Sequence, residues 1–389
     1  MTKTIEKHLE ERGEFGPIAG NKLFGALYNI EGIIMAANTR VVHGVARGIF
    51  RAAKDLRAAV IFELAKSECD LKGGYTGLTP QDFSNAVCEI AKEVGFGVWA
   101  LHADHITVKK GTEEELKGVK ELIEAQIAAG YTSFAIDASF LFDLTGTTTL
   151  EELQRNIDVT TELANFIKEK MAGREYGLEV EVGEIGKKDK DGLVLTTVDE
   201  ATTYITELHK RDIYPQVLAI ANGSTHGNIY DAQGNLIEQV SINIERTVEI
   251  AKAIEPLNVR IAQHGITGTP LKFISTKFPK GLILKGNVGT FWQNLAWEVF
   301  EIFEPELYED IWNWTLNEYR EEAAKKGITK NGEIFGKYSK FAIKEFKDRI
   351  YSVSDETTRE LEAKAYAEAM MFFKAFGAVG TADKVGALK

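Results

Sequence analysis

What most limits the fold of this chain is a repeated alternation of short apolar runs with longer stretches of helical spacing. Residues 58–62, 96–100, 131–136, 176–182, 217–221, 259–263 and 281–285 are short, apolar and flanked by polar or glycine-bearing segments, as buried strands are. Residues 23–30 open the series as a first strand, with Asn29 at its exit. Helical spacing fills most of the intervals, over 33–56, 80–94, 112–129, 150–172, 198–211 and 242–254, and Thr112 is a suitable cap for its helix. Regular strand–helix alternation calls for parallel strands joined by crossover helices. Eight such strands before residue 305 predict a (β/α)₈ barrel, a TIM barrel. An open doubly wound sheet is the alternative, but no G-x-G-x-x-G or P-loop run opens a helix. The expected division is an entry helix and loop over 1–20, a barrel over 21–305, and a helical C-terminal extension over 306–389 that packs on the barrel or on a second subunit.

In such a barrel the carboxyl ends of the strands meet at one rim. One strand runs into Leu101-His102-Ala103-Asp104-His105, another into Gly223-Ser224-Thr225-His226-Gly227, and a third into Gln263-His264-Gly265. His105, His226 and His264 are therefore placed to converge. Neutral imidazole is a favoured ligand of zinc and similar ions, and three protein ligands with one open position make a catalytic site. Asp137, Asn287 and the pair Glu179 and Glu181, which share a strand face, stand at other exits. A bound divalent metal spreads the charge of a carbanion beside a carbonyl, and a carboxylate beside it moves a hydroxyl proton. The expectation is a metal-dependent carbon–carbon lyase. Lys285 lies near a strand end where a lysine-dependent aldolase would place its amine, but three convergent histidines favour the metal route.

Composition removes other classes. The formal charge is 46 − 58 = −12 with no basic block, which argues against nucleic acid or an anionic membrane as a partner. The charged N-terminus lacks the apolar core of a signal peptide, and no stretch has the apolar length of a membrane span. Two cysteines, Cys69 and Cys88, form no framework and read as ordinary buried or half-buried thiols of a cytoplasmic protein.

From about Leu23 to Trp297 the chain resembles the class II fructose-bisphosphate aldolases and their relatives that cleave ketose phosphates. The resemblance rests on His102-Ala103-Asp104-His105, Glu179-Val180-Glu181-Val182-Gly183, Thr225-His226-Gly227, His264-Gly265 and Asn287-Val288-Gly289-Thr290. It implies Zn²⁺ or another divalent metal on His105, His226 and His264, Asp104 as the acid/base, and Asn287 as the side chain holding the enediolate oxygen. It further implies a second, non-catalytic metal site at Asp137 and Glu181, and a ketose phosphate held by Gly227, Gly265, Thr267 and Thr290. A cytoplasmic homo-oligomer, dimer or tetramer, belongs to the same expectation.

The chain departs from the family pattern in several places. Ile266 replaces a glycine of the phosphate turn, Gly289 replaces an aspartate, and Ala65 stands where a serine is usual, with Ser67 two residues on. No mobile-loop base stands out, with Glu184, Asp189 and Asp191 as the candidates. The leading expectation is cleavage of a ketose bisphosphate, fructose 1,6-bisphosphate first. The alternatives are a related aldolase or epimerase on another sugar or sugar acid, and a non-catalytic sugar-binding barrel.

Overall fold

The computed structural model describes residues 13–183, 188–189, 192–225, 227–230, 236–238 and 241–387. Among them eight parallel strands close into a barrel in sequence order: β1 (Ile34–Asn38), β2 (Val60–Ala65), β3 (Trp99–Thr107), β4 (Ser133–Asp137), β5 (Gly177–Glu181), β6 (Val217–Ala219), β7 (Arg260–Gln263) and β8 (Ile283–Val288). The final hydrogen-bonded pair, β8 on β1, runs from Ile34 opposite Lys285 to Ala37 opposite Val288. The fold is a TIM barrel with C-terminal helices.

The first strand is not where the sequence pattern puts it. Residues 20–27 form a helix, α1 (Gly20–Leu27), whose Leu23, Phe24 and Leu27 are buried. They pack with Ile34, Ala36, Ile61, Ala100, Val217 and Ala262, so α1 plugs the amino-terminal mouth of the barrel. A short apolar run satisfies either a strand or a buried helix turn, and periodicity cannot separate them. The true β1 was absorbed into the helix expected over 33–56, because all five of its residues are buried and no polar–apolar alternation marks it. Only α2 (Val45–Leu56) is helical there. Asn29 is exposed in the turn before β1, at the opposite end from the rim, and Asn38 takes its place as the exit residue.

The other crossover helices are α3 (Pro80–Val94), α4 (Glu113–Ala128), α5 (Thr149–Met171), α6 (Val198–His209), α7 (Ile244–Ile254) and α8 (Leu271–Lys277). The sequence pattern had passed over α8. Side-chain caps start α3 to α6, with Thr79, Thr112, Thr148 and Thr197 each accepting from the third backbone N–H.

Past β8 the chain continues in α9 (Thr290–Phe303), α10 (Pro305–Lys325), α11 (Asn331–Tyr338), α12 (Asp355–Ala375) and α13 (Thr381–Gly386). The last two close on the barrel. α12 lies against α2 so tightly that a Cβ at Gly48 would stand 2.4 Å from the Glu362 carbonyl oxygen. In α13, Thr381 Oγ1 accepts from Ala59 N at 2.9 Å and Val385 joins the plug under the barrel. The entry helix expected within 1–20 falls mostly outside the described residues. No helix among the described residues is long and apolar enough to cross a membrane. Cys69 is buried, with its thiol pushed up to about 12 by burial, and Cys88 is half-buried.

Candidate active site

Strand residues two apart share a face, and the inward faces change character along the barrel. Near α1 they are the apolar residues of the plug. Towards the carboxyl end come Glu63, His102, Glu179 and Lys285, all essentially buried, and above them Asn38, Asp104, Glu181 and Asn287. Lys285 lies between Glu63 and Glu179, its Nζ 2.9 Å and 2.8 Å from their carboxylates and 3.6 Å from Asp104. Burial works against that ammonium, but the surrounding carboxylates outweigh it and hold the pKa above the ordinary lysine value. A lysine so held carries its proton and is no free amine for a Schiff base.

Adjacent strand residues normally point to opposite faces, yet Asp104 and His105 both line one cavity. The register of β3 against β4 shifts between Ala103 and Ile106, and His105 takes a φ of +40°. This bulge turns two successive side chains inward, as bulges near functional sites do. The left-handed backbone of a non-glycine residue stores strain of a kind that clusters at active sites.

Asp104 is gripped from both sides. Asn38 Nδ2 donates to Oδ2 at 2.9 Å and Asn287 Nδ2 donates to Oδ1 at 3.1 Å. Asn287 Nδ2 also donates to Glu63 at 2.7 Å. With its N–H groups committed to carboxylates, Asn287 offers its buried Oδ1 as an acceptor. Burial would raise the Asp104 pKa, but His105 and Lys285 hold it well below the usual carboxylate range.

The described residues expected at the site come together around a cavity of about 510 Å³: His105, His264, Asp104, Asn287, Asp137, Glu181, Gly227, Gly265, Thr267 and Thr290. His226 lies outside the described residues. So do Glu184 and Asp191, while Asp189 is described only in the backbone of a short hairpin. Donor atoms of Asp104, His105 and His264 all lie within 4.8 Å of one another, and the two imidazole rings are 4.4 Å apart. Glu179 Oε1 is 3.1 Å from His264 Nε2. An ionised Glu179 fixes the proton there, which makes Nδ1 the lone-pair nitrogen of a neutral ring.

Glu181 and Asp137 reach His105 Nδ1 at 3.0 Å and 3.4 Å. A carboxylate on one ring nitrogen makes the other a better metal ligand. Burial and Asp137 push Glu181 up to about 8. His105 is raised as well, since Glu181 and Asp104 outweigh its burial. Such crowding of acidic groups fits a cation, which relieves the same charge that otherwise draws a proton.

Gly265 has a φ of +65°, and a Cβ there would meet the Thr225 carbonyl oxygen at 2.6 Å, so only glycine fits this turn. Ile266 is buried, its Cδ1 against the space at Gly286, so the bulkier residue packs into the core while the turn still lines the cavity. Thr267 Oγ1 accepts from Phe291 N at 3.1 Å, and Thr290 Oγ1 accepts from Arg40 Nη1 at 3.1 Å. Each hydroxyl keeps its hydrogen for another partner.

The sequence reading gave no role to Asn38, Arg40, Glu63, Glu68 or Tyr75. Asn38 and Arg40 were hidden by the misplaced first strand. Glu63 falls just past the apolar run 58–62, yet it belongs to β2 and is buried.

Comparison with known proteins fits this geometry. Residues 21–340 match the family model described as Fructose-bisphosphate aldolase class-II. This chain belongs to that family. A stretch of 89 residues is 35% identical to the D-tagatose-1,6-bisphosphate aldolase subunit GatZ of Salmonella gallinarum, covering 21% of either protein, so the match spans about a fifth of that curated relative. Among solved structures, the YdjI aldolase of Escherichia coli is 19% identical, with a TM-score of 0.56 over 92% of this chain and 97% of that one. A fructose-bisphosphate aldolase of Campylobacter jejuni is 17% identical, with a TM-score of 0.57 over 94% and 97%. A probable tagatose 6 phosphate kinase of Sinorhizobium meliloti is 15% identical, with a TM-score of 0.61 over 92% and 98%. At these identities the structures show a shared fold, and it is the family model that carries membership.

Proposed function

We propose that the chain is a metal-dependent aldolase that reversibly cleaves a ketose bisphosphate, fructose 1,6-bisphosphate first, into dihydroxyacetone phosphate and an aldehyde. The observation that carries this reading is Asp104, held between two amides beside His105 and His264. A sugar-binding barrel needs no ionised carboxylate poised there.

In this reading His105, His226 and His264 hold a divalent cation, zinc by the character of the donors. When bound, it supplies Lewis-acid stabilisation of the negative charge that develops beside the ketone carbonyl. Asp104 takes the proton of the C4 hydroxyl as the C3–C4 bond breaks, and the bonding electrons pass into the ketone half. Asn38 and Asn287 keep that carboxylate oriented, and Asn287 Oδ1 accepts from a substrate hydroxyl. Gly227, Gly265, Thr267 and Thr290 hold the phosphate of the ketone half. Backbone N–H groups in such turns carry much of anion binding.

The test is cleavage of fructose 1,6-bisphosphate together with exchange of the carbon-bound protons of dihydroxyacetone phosphate in heavy water. Both are expected, and a chelator should reduce both to background until zinc is returned. An unphosphorylated sugar turned over far better than every phosphorylated ketose would reject the bisphosphate reading. Tagatose 1,6-bisphosphate, the C4 epimer, is the next substrate to try, because one relative is named for it. The lost aspartate at Gly289 favours that second reading, an aldolase or epimerase on a different sugar. The reading includes a homo-oligomer, dimer or tetramer, which sedimentation measures directly.

Thr267→Val should raise KM for the phosphorylated ketose more than it lowers kcat, since phosphate held equally in ground and transition states affects KM alone. Loss of its bond to Phe291 N should also cost about 0.5–2 kcal/mol of stability, as removal of a helix cap does. An equal fall in kcat and kcat/KM would reject that role.

A further inference from the structure

Arg40 is held with unusual firmness at the edge of the phosphate turn. Its Nε donates to Glu68 Oε1 at 2.7 Å, and its Nη1 donates to Thr290 Oγ1 at 3.1 Å and to Gln293 Oε1 at 3.0 Å. Its Cζ stands 5.7 Å from the centre of the Tyr75 ring. Glu68 is already engaged, accepting from Tyr75 Oη at 2.8 Å, Ala65 N at 2.9 Å and Asn38 Nδ2 at 3.3 Å. Lys340, from the C-terminal extension, brings Nζ to 5.4 Å from the same ring. Two cations therefore stand against one aromatic ring, and the Glu68 carboxylate beside them is fully used. Burial and the nearby Arg40 push the Lys340 ammonium down, a cost that a bound anion would relieve.

Gly289 lies directly beside Arg40. A Cβ at 289 would stand 3.4 Å from Arg40 Nη2 and 3.3 Å from Asn38 Cβ. The family pattern has an aspartate at this position, and with glycine there residue 289 offers the guanidinium no carboxylate. Arg40, Gly227, Thr290 and Lys340 line both the site cavity and an adjoining one of about 480 Å³, so the charge faces open space.

We infer that Arg40, supported by Lys340, is a phosphate-binding residue that makes this enzyme select a phosphorylated ketone half. The inference rests on the aldolase reading and specifies its substrate. The Nη2 edge over Gly289 adds a charge-assisted donor to the backbone and hydroxyl groups of the turn, the kind of fork that suits a phosphate dianion.

The test compares proton exchange of dihydroxyacetone phosphate with that of unphosphorylated dihydroxyacetone in the wild type, Arg40→Gln, Arg40→Lys and Lys340→Ala. Arg40→Gln should raise KM for the phosphate ester by about 10–100-fold, the loss of one charge-assisted hydrogen bond, with exchange of dihydroxyacetone little changed. Arg40→Lys should recover part of the loss, and Lys340→Ala should show a smaller one. Equal losses on both compounds would make Arg40 a structural tie to Glu68 and overturn the inference. So would an unchanged KM for the phosphate ester with weaker use of phosphorylated aldehydes, which would place Arg40 on the other half. Calorimetric binding of dihydroxyacetone phosphate separates the two readings. If the wild type binds it but exchanges nothing, the aldolase reading fails while weaker binding by Arg40→Gln still supports the clamp. If wild type and Arg40→Gln bind it equally, or neither binds it, the clamp is refuted.

Discussion

Asp104→Asn is expected to lower turnover by about 10²–10⁴-fold, the usual contribution of a positioned general acid–base group. The geometry sharpens what else should happen. Each oxygen of Asp104 accepts from an amide, Asn38 on one side and Asn287 on the other. An amide at 104 must turn its own N–H₂ towards one of them, so one hydrogen bond is lost whichever way it faces. The fold should survive, because barrel stability resides mainly elsewhere. Metal content should be measured alongside kcat, since an Asp104 oxygen lies within 4.8 Å of the histidine donors. Lost turnover with metal content unchanged supports the acid–base role. Lost metal makes Asp104 a ligand. Near-normal cleavage would reduce it to an orienting partner of an imidazole.

Lys285→Met should destabilise the protein by about 3–5 kcal/mol, the range for removing one partner of a buried ion pair. Its ammonium compensates Glu63 and Glu179 directly and Asp104 at longer range, all of them buried. Without it, three buried carboxylates face one another uncompensated, and at least one must take up a proton. Burial and Asp104 already push Glu63 well above the ordinary value even with Lys285 beside it. Urea unfolding measures the loss, and a change under 1 kcal/mol would mean that water reaches this layer. Activity should fall too, because Lys285 helps to keep Asp104 ionised. Replacing Glu63 by Gln in the same background should recover part of the stability by removing one of the unpaired charges.

Most of the barrel was legible because parallel strands buried on both faces leave short apolar runs that polar or glycine-bearing segments interrupt. Strands β2 to β8 fall close to the expected positions, and Asp104, His105, Asp137, Glu181, His264 and Asn287 fall at or near their ends. Glu179 and Glu181 share the inward face, as period-two alternation requires. The failure was local. The runs at 23–27 and 34–38 are both apolar and short, and nothing within them says which becomes a helix. That choice was made by the open mouth of the barrel, which buries Leu23, Phe24 and Leu27 of a helix.

The sequence by itself determined the strand–helix alternation from β2 onward and the kinds of side chain that reach the rim, since both follow from residue type and spacing along one strand. Only the tertiary structure decided how those groups are used. The bulge that turns Asp104 and His105 the same way depends on the pairing of β3 with β4. The charged layer of Glu63, Glu179 and Lys285 joins residues from three strands more than a hundred positions apart. Arg40 meets Thr290 across the β1–β8 seam. Each depends on which strands lie side by side once the sheet has closed, and no local pattern of residues encodes a distance across a barrel.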